Sequence, residues 1–210
     1  KGRIVQADRL LMLFARDVLS RQPGADIVYD VKCSRQLARV ISEAGGRPIM
    51  WRSGHAWIKS KMKEVGALLV GEYTGHICFR ERWYGFDDAL YSAARLLEIV
   101  GLEGRSLDEL LSELPKTVST PEIRLPIAEA QKFSAMAQIS DEVHFEDAKL
   151  ITVDGLRAEF ADGWGLVRCS NTEAALTLRF EADDADALAR IRGLFRTELI
   201  RILNDDTLSF

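Results

Sequence analysis

The sequence predicts an α/β domain followed by an α+β domain with a mainly antiparallel sheet and helices on one face. Three observations carry that reading. Helical and extended patterns alternate in the first half, a proline-bearing stretch between Leu114 and Pro126 breaks the periodicity, and extended segments then follow one another in hairpin order.

Residues 7–19 (ADRLLMLFARDVL) read as a helix. After the Pro23-Gly24 turn, Asp26 to Val31 is a short apolar strand, and Ser34 caps a helix that runs towards Glu43 and ends at Gly45-Gly46. Pro48 to Trp51 is a second strand and Trp57 to Glu64 a helix. Ala67 to Val70 is a third strand, of the continuously apolar kind that is buried on both faces. Asp87 or Asp88 then caps a helix with Leu90, Ala93, Leu97 and Val100 on one face. Beyond the string KTVSTPE, Glu122 to Ile127 alternates like a half-buried strand and Lys132 to Ile139 is helical. ITVDGLRAEF makes a hairpin around Asp154-Gly155. Strands around Leu166 to Cys169 and Ala174 to Glu181 precede a last helix with Leu188, Ile191, Phe195 and Ile202 facing inward. The domains divide as 1–116 and 117–210.

The composition narrows the function classes. A chain of 210 residues with 47% hydrophobic content has a full core. Its net charge is -4, and its 28 basic residues form no block, which disfavours nucleic acid and anionic membrane as partners. Cys33, Cys78 and Cys169 are odd in number and far apart, fitting neither a disulfide framework nor a CxxC metal site, and a reducing cytoplasm is expected. No apolar run approaches the length of a membrane span. Lys1 stands where an initiating methionine would, so it is not expected to be the natural start.

Four strand ends carry candidate chemistry. GEYTGH (71–76) crowds a carboxylate, two hydroxyls and a histidine between glycines at the end of a buried strand, where open α/β sheets bind ligands. Glu72 and Thr74 suit neighbouring sugar hydroxyls, and His76 suits proton transfer near neutral pH; the competing reading is a plain turn in which Glu and His pair with each other. Arg168, Ser170, Asn171 and Thr172 of RCSNT suit a phosphate, or else form a polar turn with one surface arginine. Lys32, in DVKCS, and His55, in RSGH, end the first two strands, so successive strand ends deliver Lys, His and Glu/His to one rim. Taken alone, Lys32 reads as a snorkelling surface lysine. His55 and His76 are too far apart in sequence for a local metal pair, the Asp87-Asp88 doublet reads as helix capping, and the cysteines read as packed thiols.

Together these strings resemble the α-D-phosphohexomutase superfamily, in particular its bacterial phosphomannomutase/phosphoglucomutase branch. The run GEYTGHICFRERWYGFDDALYSAARLLEIV is similar to that branch's sugar-binding loop, usually GEMSGH, and the helix after it; DVKCSR, RSGH and GWGLVRCSNT follow in family order. The resemblance implies a three-layer α/β domain 3, cut within its beginning, and a domain 4. It implies that Glu72 and Thr74 select the sugar, that Arg168, Ser170, Asn171 and Thr172 hold the phosphate not being transferred, and that Lys32, His55 and His76 line the reaction centre. The implied activity interconverts glucose or mannose 1- and 6-phosphates through a phosphoserine and a bisphosphate intermediate. Mg²⁺ is the implied cofactor and hexose 1,6-bisphosphate the activator. Tyr73 and Thr74 stand where Met and Ser are commoner; Thr keeps the hydroxyl, and Tyr bears on sugar preference. The family's phosphoserine loop and its DGDGDR-like metal loop are not among these residues. Domains 1 and 2 are therefore the implied missing partners, the fragment alone is expected to be inactive, and the full-length protein is expected to be a monomer. The alternatives are a non-enzymatic phosphosugar-binding module and a phosphoglucosamine mutase, although the latter tend to carry Gln after the Glu of the sugar loop.

Overall fold

Strand β1 (Asp26–Asp30) is buried along its whole length because neighbours cover it on both edges and both faces. It pairs in parallel with β2 (Arg47–Trp51) and with β3 (Leu69–Gly71), while β4 (Ile77–Phe79) returns antiparallel to β3, giving the order β2-β1-β3-β4. These strands belong to the first of two units, Lys1–Pro115 and Lys116–Phe210, in a computed structural model that describes every residue except 1, 3, 207 and 209. Lys1, on which the expectation about the chain's start rests, lies outside the described residues.

Alternation of side chains across the pleat builds the layers. Ile27, Tyr29, Leu69, Ile77 and Phe79 pack in one cluster with α1 (Ala7–Arg21), α2 (Arg35–Glu43), α4 (Ala89–Glu103) and α5 (Leu107–Ser112). Val28, Val70 and Cys78 point the other way, against Ile58 and Met62 of α3 (His55–Val65). The sheet thus lies between helices, and each fully buried aliphatic side chain contributes about 1.5–3 kcal/mol. Two caps read from the sequence are formed: Ser34 accepts from the Gln36 N–H and Asp88 from the Tyr91 N–H.

Helix α4 departs from its amphipathic pattern. Leu90, Ala93 and Leu97, on the face marked as apolar, are exposed, and the buried positions are Arg95 and Ile99. Arg95 takes a core-facing place because it has partners there: its Nη2 lies 2.6 Å from Asp17 Oδ2 and 2.9 Å from Glu81 Oε2, and its guanidinium stacks 4.6 Å from the Phe79 ring centre. Arg21 bonds the same two carboxylates. Burial alone would raise Asp17 and Glu81, but hydrogen bonds and charge from the arginines outweigh it and hold both below the ordinary range.

The second unit is antiparallel throughout. Strands β5 (Val118–Ser119) and β6 (Ile123–Pro126) both pair with β10 (Ala175–Ala182), which continues to β9 (Gly163–Cys169), β8 (Leu156–Phe160) and β7 (Lys149–Ile151). Helices α6 (Glu129–Glu142) and α7 (Ala185–Leu203) share one core, with Met136, Ile139, Ile191, Phe195 and Leu199 against Leu156, Val167, Leu178 and Phe180. Among the described residues no helix is long and apolar enough to cross a membrane.

Replacing Arg95 with Met leaves Asp17 and Glu81 only Arg21 to share and is expected to cost about 2 kcal/mol in urea unfolding at pH 7. Asp17 and Glu81 have lowered folded pKa values, so the stability they lend is present above the ordinary carboxylate pKa and is lost as pH falls through the folded values. The gap between wild type and variant should therefore narrow below about pH 4.

Candidate active site

Because β1, β2 and β3 run parallel, their carboxyl ends at Asp30, Trp51 and Gly71 lie along one edge of the sheet. Asp30 is fully buried and ties the following loops together. Its Oδ1 accepts from the Tyr73 N–H (2.9 Å) and from Cys33 Sγ (3.1 Å), and its Oδ2 accepts from Ser53 Oγ (2.8 Å). Glu72, 2% exposed, is held the same way: Oε1 accepts from the Gly54 N–H at 2.5 Å and lies 3.3 Å from Ser53 Oγ. A hydroxyl has one proton, and the shorter distance gives it to Asp30. Gly54 reaches Glu72 through a backbone with φ of 129°, a region that favours glycine. No described residue donates to Glu72 Oε2. Burial raises the Glu72 pKa; the Gly54 N–H works against this, Asp30 adds to it, and His76 and Lys32 also lower it, with a net rise.

The loop closes on itself. Glu72 N–H donates to the His76 carbonyl (2.9 Å) and Gly75 N–H to the Glu72 carbonyl (3.0 Å), which leaves Thr74 exposed at the tip. His76 does not pair with Glu72; its Nδ1 meets Asp87 Oδ2 at 2.6 Å. A carboxylate there selects the Nδ1–H tautomer and leaves Nε2 as the acceptor. The doublet therefore divides its work: Asp88 caps α4, whereas Asp87 orients His76. The separation of His55 and His76 in sequence is also overridden, because their ring centres lie 5.5 Å apart. Lys32, 6% exposed, sits in the turn after β1, close enough to Glu72 to lower its pKa.

The RCSNT residues lie in the second unit. Arg168 on β9 is 4% exposed; Nε donates to Asp154 Oδ2 at 3.0 Å, and Nη2 is buried with no hydrogen-bond partner. Gly155, with φ of 72°, lets the β7–β8 turn press on this arginine, for a Cβ there would lie 2.3 Å from the Val167 carbonyl oxygen and 2.5 Å from Arg168 Cβ. Ser170 Oγ accepts from the Thr172 and Glu173 N–H groups at 3.3 and 3.1 Å, so the serine folds the loop, while Asn171 and Thr172 are exposed. Lys132 of α6, 4% exposed, donates to the Ser170 and Glu173 carbonyls, both at 3.1 Å.

Sequence reasoning missed the positioning roles of Asp30, Ser53, Asp87 and Lys132. A carboxylate closing the apolar run DIVYD was the one local signal. The thiols are packed: Cys33 and Cys78 are buried, and burial pushes Cys78 up to about 12. Among the described residues no three of His, Cys, Asp and Glu converge as metal ligands, so the site residues do not fit a Mg²⁺ ion and no step is assigned to one.

A three-layer unit with its loops at one sheet edge, followed by an antiparallel unit with an arginine-bearing loop, defines a pair of phosphohexomutase domains. Residues 6–118 match the family model for phosphoglucomutase/phosphomannomutase, alpha/beta/alpha domain III, and residues 122–198 that for the C-terminal domain. The chain belongs to the phosphoglucomutase/phosphomannomutase family. It is 53% identical over 209 residues to a phosphomannomutase/phosphoglucomutase of Pseudomonas syringae pv. tomato, covering 100% of this chain and 45% of that protein. A phosphoglucomutase of Neisseria meningitidis is 50% identical over 93% of this chain and 43% of its own length. The crystal structure of a phosphoglucomutase/phosphomannomutase family protein from Burkholderia thailandensis superposes with a TM-score of 0.93 at 48% identity, covering 100% of this chain and 44% of that one. The chain thus spans a little under half the length of these relatives.

Asp30→Ala removes three hydrogen bonds that tie the loops after β1, β2 and β3 together and is expected to cost about 3 kcal/mol in urea unfolding. Asp87→Asn is expected to move the neutral His76 ring away from the Nδ1–H tautomer, read from its ring ¹⁵N shifts at alkaline pH. An unchanged tautomer would mean that Asp87 does not set it.

Proposed function

We propose that this chain is the C-terminal portion of a phosphohexose mutase that interconverts the 1- and 6-phosphates of glucose or mannose. The observation that carries the reading is the half-anchored carboxylate of Glu72. One oxygen is fixed by the protein and the other is left to accept from a donor, and neighbouring sugar hydroxyls are such donors. Thr74, at the exposed tip of the same loop, adds a hydroxyl that can donate or accept.

Arg168 supports the second half of the reading. Its Nη2 is a buried donor without an acceptor, and an unmet buried charge-bearing donor costs free energy that a phosphate oxygen would recover. Ser170, Asn171 and Thr172 complete this phosphate-holding loop. His76, with Nδ1 fixed by Asp87, is assigned the proton transfer: Nε2 takes the proton of the sugar hydroxyl as that oxygen bonds to phosphorus and the phosphoserine O–P bond breaks. In the second half of the cycle the bisphosphate returns its other phosphoryl group to serine, and the proton goes back to the sugar oxygen. Lys32 and His55 line the centre, Lys32 offering positive charge to a transferring phosphoryl group. The family's phosphoserine and Mg²⁺ loops are not among these 210 residues, so the chain by itself binds hexose phosphate without turning it over. The longer protein is a cytoplasmic monomer activated by hexose 1,6-bisphosphate.

Isothermal titration of this chain with glucose 6-phosphate and mannose 6-phosphate tests the reading. Glu72→Gln and Arg168→Lys are each expected to weaken binding about tenfold or more, whereas unchanged affinity in both variants would contradict it. Glu72→Gln should also raise the melting temperature. A carboxylate with a raised folded pKa costs stability once ionised, and that cost grows as pH rises from the ordinary carboxylate value through the folded value. The gain, on the order of 1 kcal/mol, is expected at pH 7 and absent in acid.

A further inference from the structure

The sheet of the second unit has two unlike faces. Leu156, Val167, Leu176, Leu178 and Phe180 share the core with α6 and α7, so the residues that alternate with them, among them Arg157, Trp164, Arg168, Thr177, Arg179 and Glu181, lie on the other face. At one end of that face the charges are gathered round an aromatic ring. Arg157 and Arg179 lie 3.7 and 5.1 Å from the Trp164 ring centre, Arg157 Nε donates to Glu159 at 2.7 Å, and Trp164 Nε1 donates to Glu181 at 3.2 Å. At the other end, Arg168 of β9 and Thr177 of β10 stand directly opposite each other, and each keeps a buried polar atom with no hydrogen-bond partner, Arg168 Nη2 and Thr177 Oγ1. A cross-strand pair holds its Cβ atoms about 4.5–5.5 Å apart, which puts both groups within reach of one oxygen atom.

The hydroxyl of Thr177 has no use in the unliganded strand. An unpaired buried hydroxyl costs stability, and Val would fill the same place with the same branched shape and strand preference and without that cost. Thr177 is 4% exposed, so bulk water does not meet its hydroxyl. The pair itself defines the missing partner. A guanidinium N–H only donates and a hydroxyl can donate, so a single acceptor oxygen satisfies both, and the charge of the arginine favours an anionic one. Arg124 of β6, opposite Thr177 across the other edge of β10, adds a second cation to the row and pairs with Glu173 at 3.3 Å. We propose that Thr177 is a phosphate-binding residue of this chain, its hydroxyl donating to the phosphate oxygen that Arg168 Nη2 also meets. The inference rests on the reading of the Arg168 loop as phosphate-holding and extends that site from the loop onto the neighbouring strand.

The test titrates Thr177→Val, Thr177→Ser and Arg168→Lys with glucose 6-phosphate and with inorganic phosphate. Thr177→Val keeps the shape and removes the hydroxyl, so it is expected to weaken both ligands by the same factor, about tenfold, while Thr177→Ser stays within about threefold of the wild type. Without ligand, Thr177→Val loses an unmet polar group, and its melting temperature is expected to rise by about 2 °C. Weaker binding together with a higher melting temperature separates a hydroxyl that serves the ligand from one that serves the fold. Undiminished affinity in Thr177→Val, with Arg168→Lys weakened, would overturn the proposal and leave the phosphate reading of Arg168 standing; undiminished affinity in both would overturn the two together. Equal weakening by Thr177→Val and Thr177→Ser would trace the effect to packing and overturn the proposal, as would a lower melting temperature of Thr177→Val with unchanged affinity.

Discussion

The carboxylate of Asp30 is the constraint on which the candidate site depends. An ionised carboxylate away from water costs several kcal/mol unless donors meet it, and here three do, each from the loop after a different strand: Cys33 after β1, Ser53 after β2 and Tyr73 after β3. The cost of burying the charge is thereby turned into register among three loops. Ser53 passes the constraint on, since its oxygen also lies within 3.3 Å of Glu72, and Gly54 next to it supplies the donor that fixes Glu72 Oε1. The placement of Glu72, the first residue after β3, is thus set from the loop after β2, where Ser53 itself rests on Asp30. Burial raises the pKa of Glu72 and the charge of Asp30 adds to the rise, so holding two buried carboxylates side by side is unfavourable for folding.

The two candidate loops use one device with opposite charge. In each, a buried charged side chain is anchored by one atom and left open at another: Glu72 by Oε1, with Oε2 open, and Arg168 by Nε to Asp154, with Nη2 open. In each, a glycine at positive φ allows the anchoring loop to approach, Gly54 beside Glu72 and Gly155, next to Asp154, beside Arg168. A carboxylate oxygen suits hydroxyl donors and a guanidinium N–H suits phosphate oxygens, so one loop offers acceptor chemistry and the other donor chemistry. Half-anchored groups are preorganised, and that preserves affinity which flexible side chains would lose to ordering.

Much of the fold is legible in the sequence because its signals are local. The continuous apolar runs at Asp26 to Val31 and Ala67 to Val70 read as buried strands, Ser34 as a cap, and ITVDGLRAEF as a hairpin, and the chain forms each of them, although the hairpin closes through residues 152–155 and not through a tight two-residue turn at Asp154-Gly155. Other features are settled by partners distant in sequence. Strand β4 is three residues long, too short for a periodic signal. Arg95 lies on the core side of α4 only because Asp17 and Glu81 meet it there, which reverses the amphipathic reading. The candidate residues were visible as strand-end clusters, whereas Asp30, Asp87 and Lys132 act by holding other groups and carry no motif of their own. His55 and His76 become neighbours through the parallel pairing of strands, which no spacing rule contains.

Backbone amide mapping of the ¹⁵N-labelled chain, titrated with glucose 6-phosphate and separately with inorganic phosphate, tests the central claim most directly. The half-anchored Glu72 requires the Gly54, Tyr73 and Gly75 amides to shift with the sugar phosphate and not with phosphate alone, while the Arg168–Glu173 loop shifts with both. Saturation by glucose 6-phosphate with the Gly71–His76 loop silent would show phosphate binding without sugar recognition and would contradict the reading of Glu72.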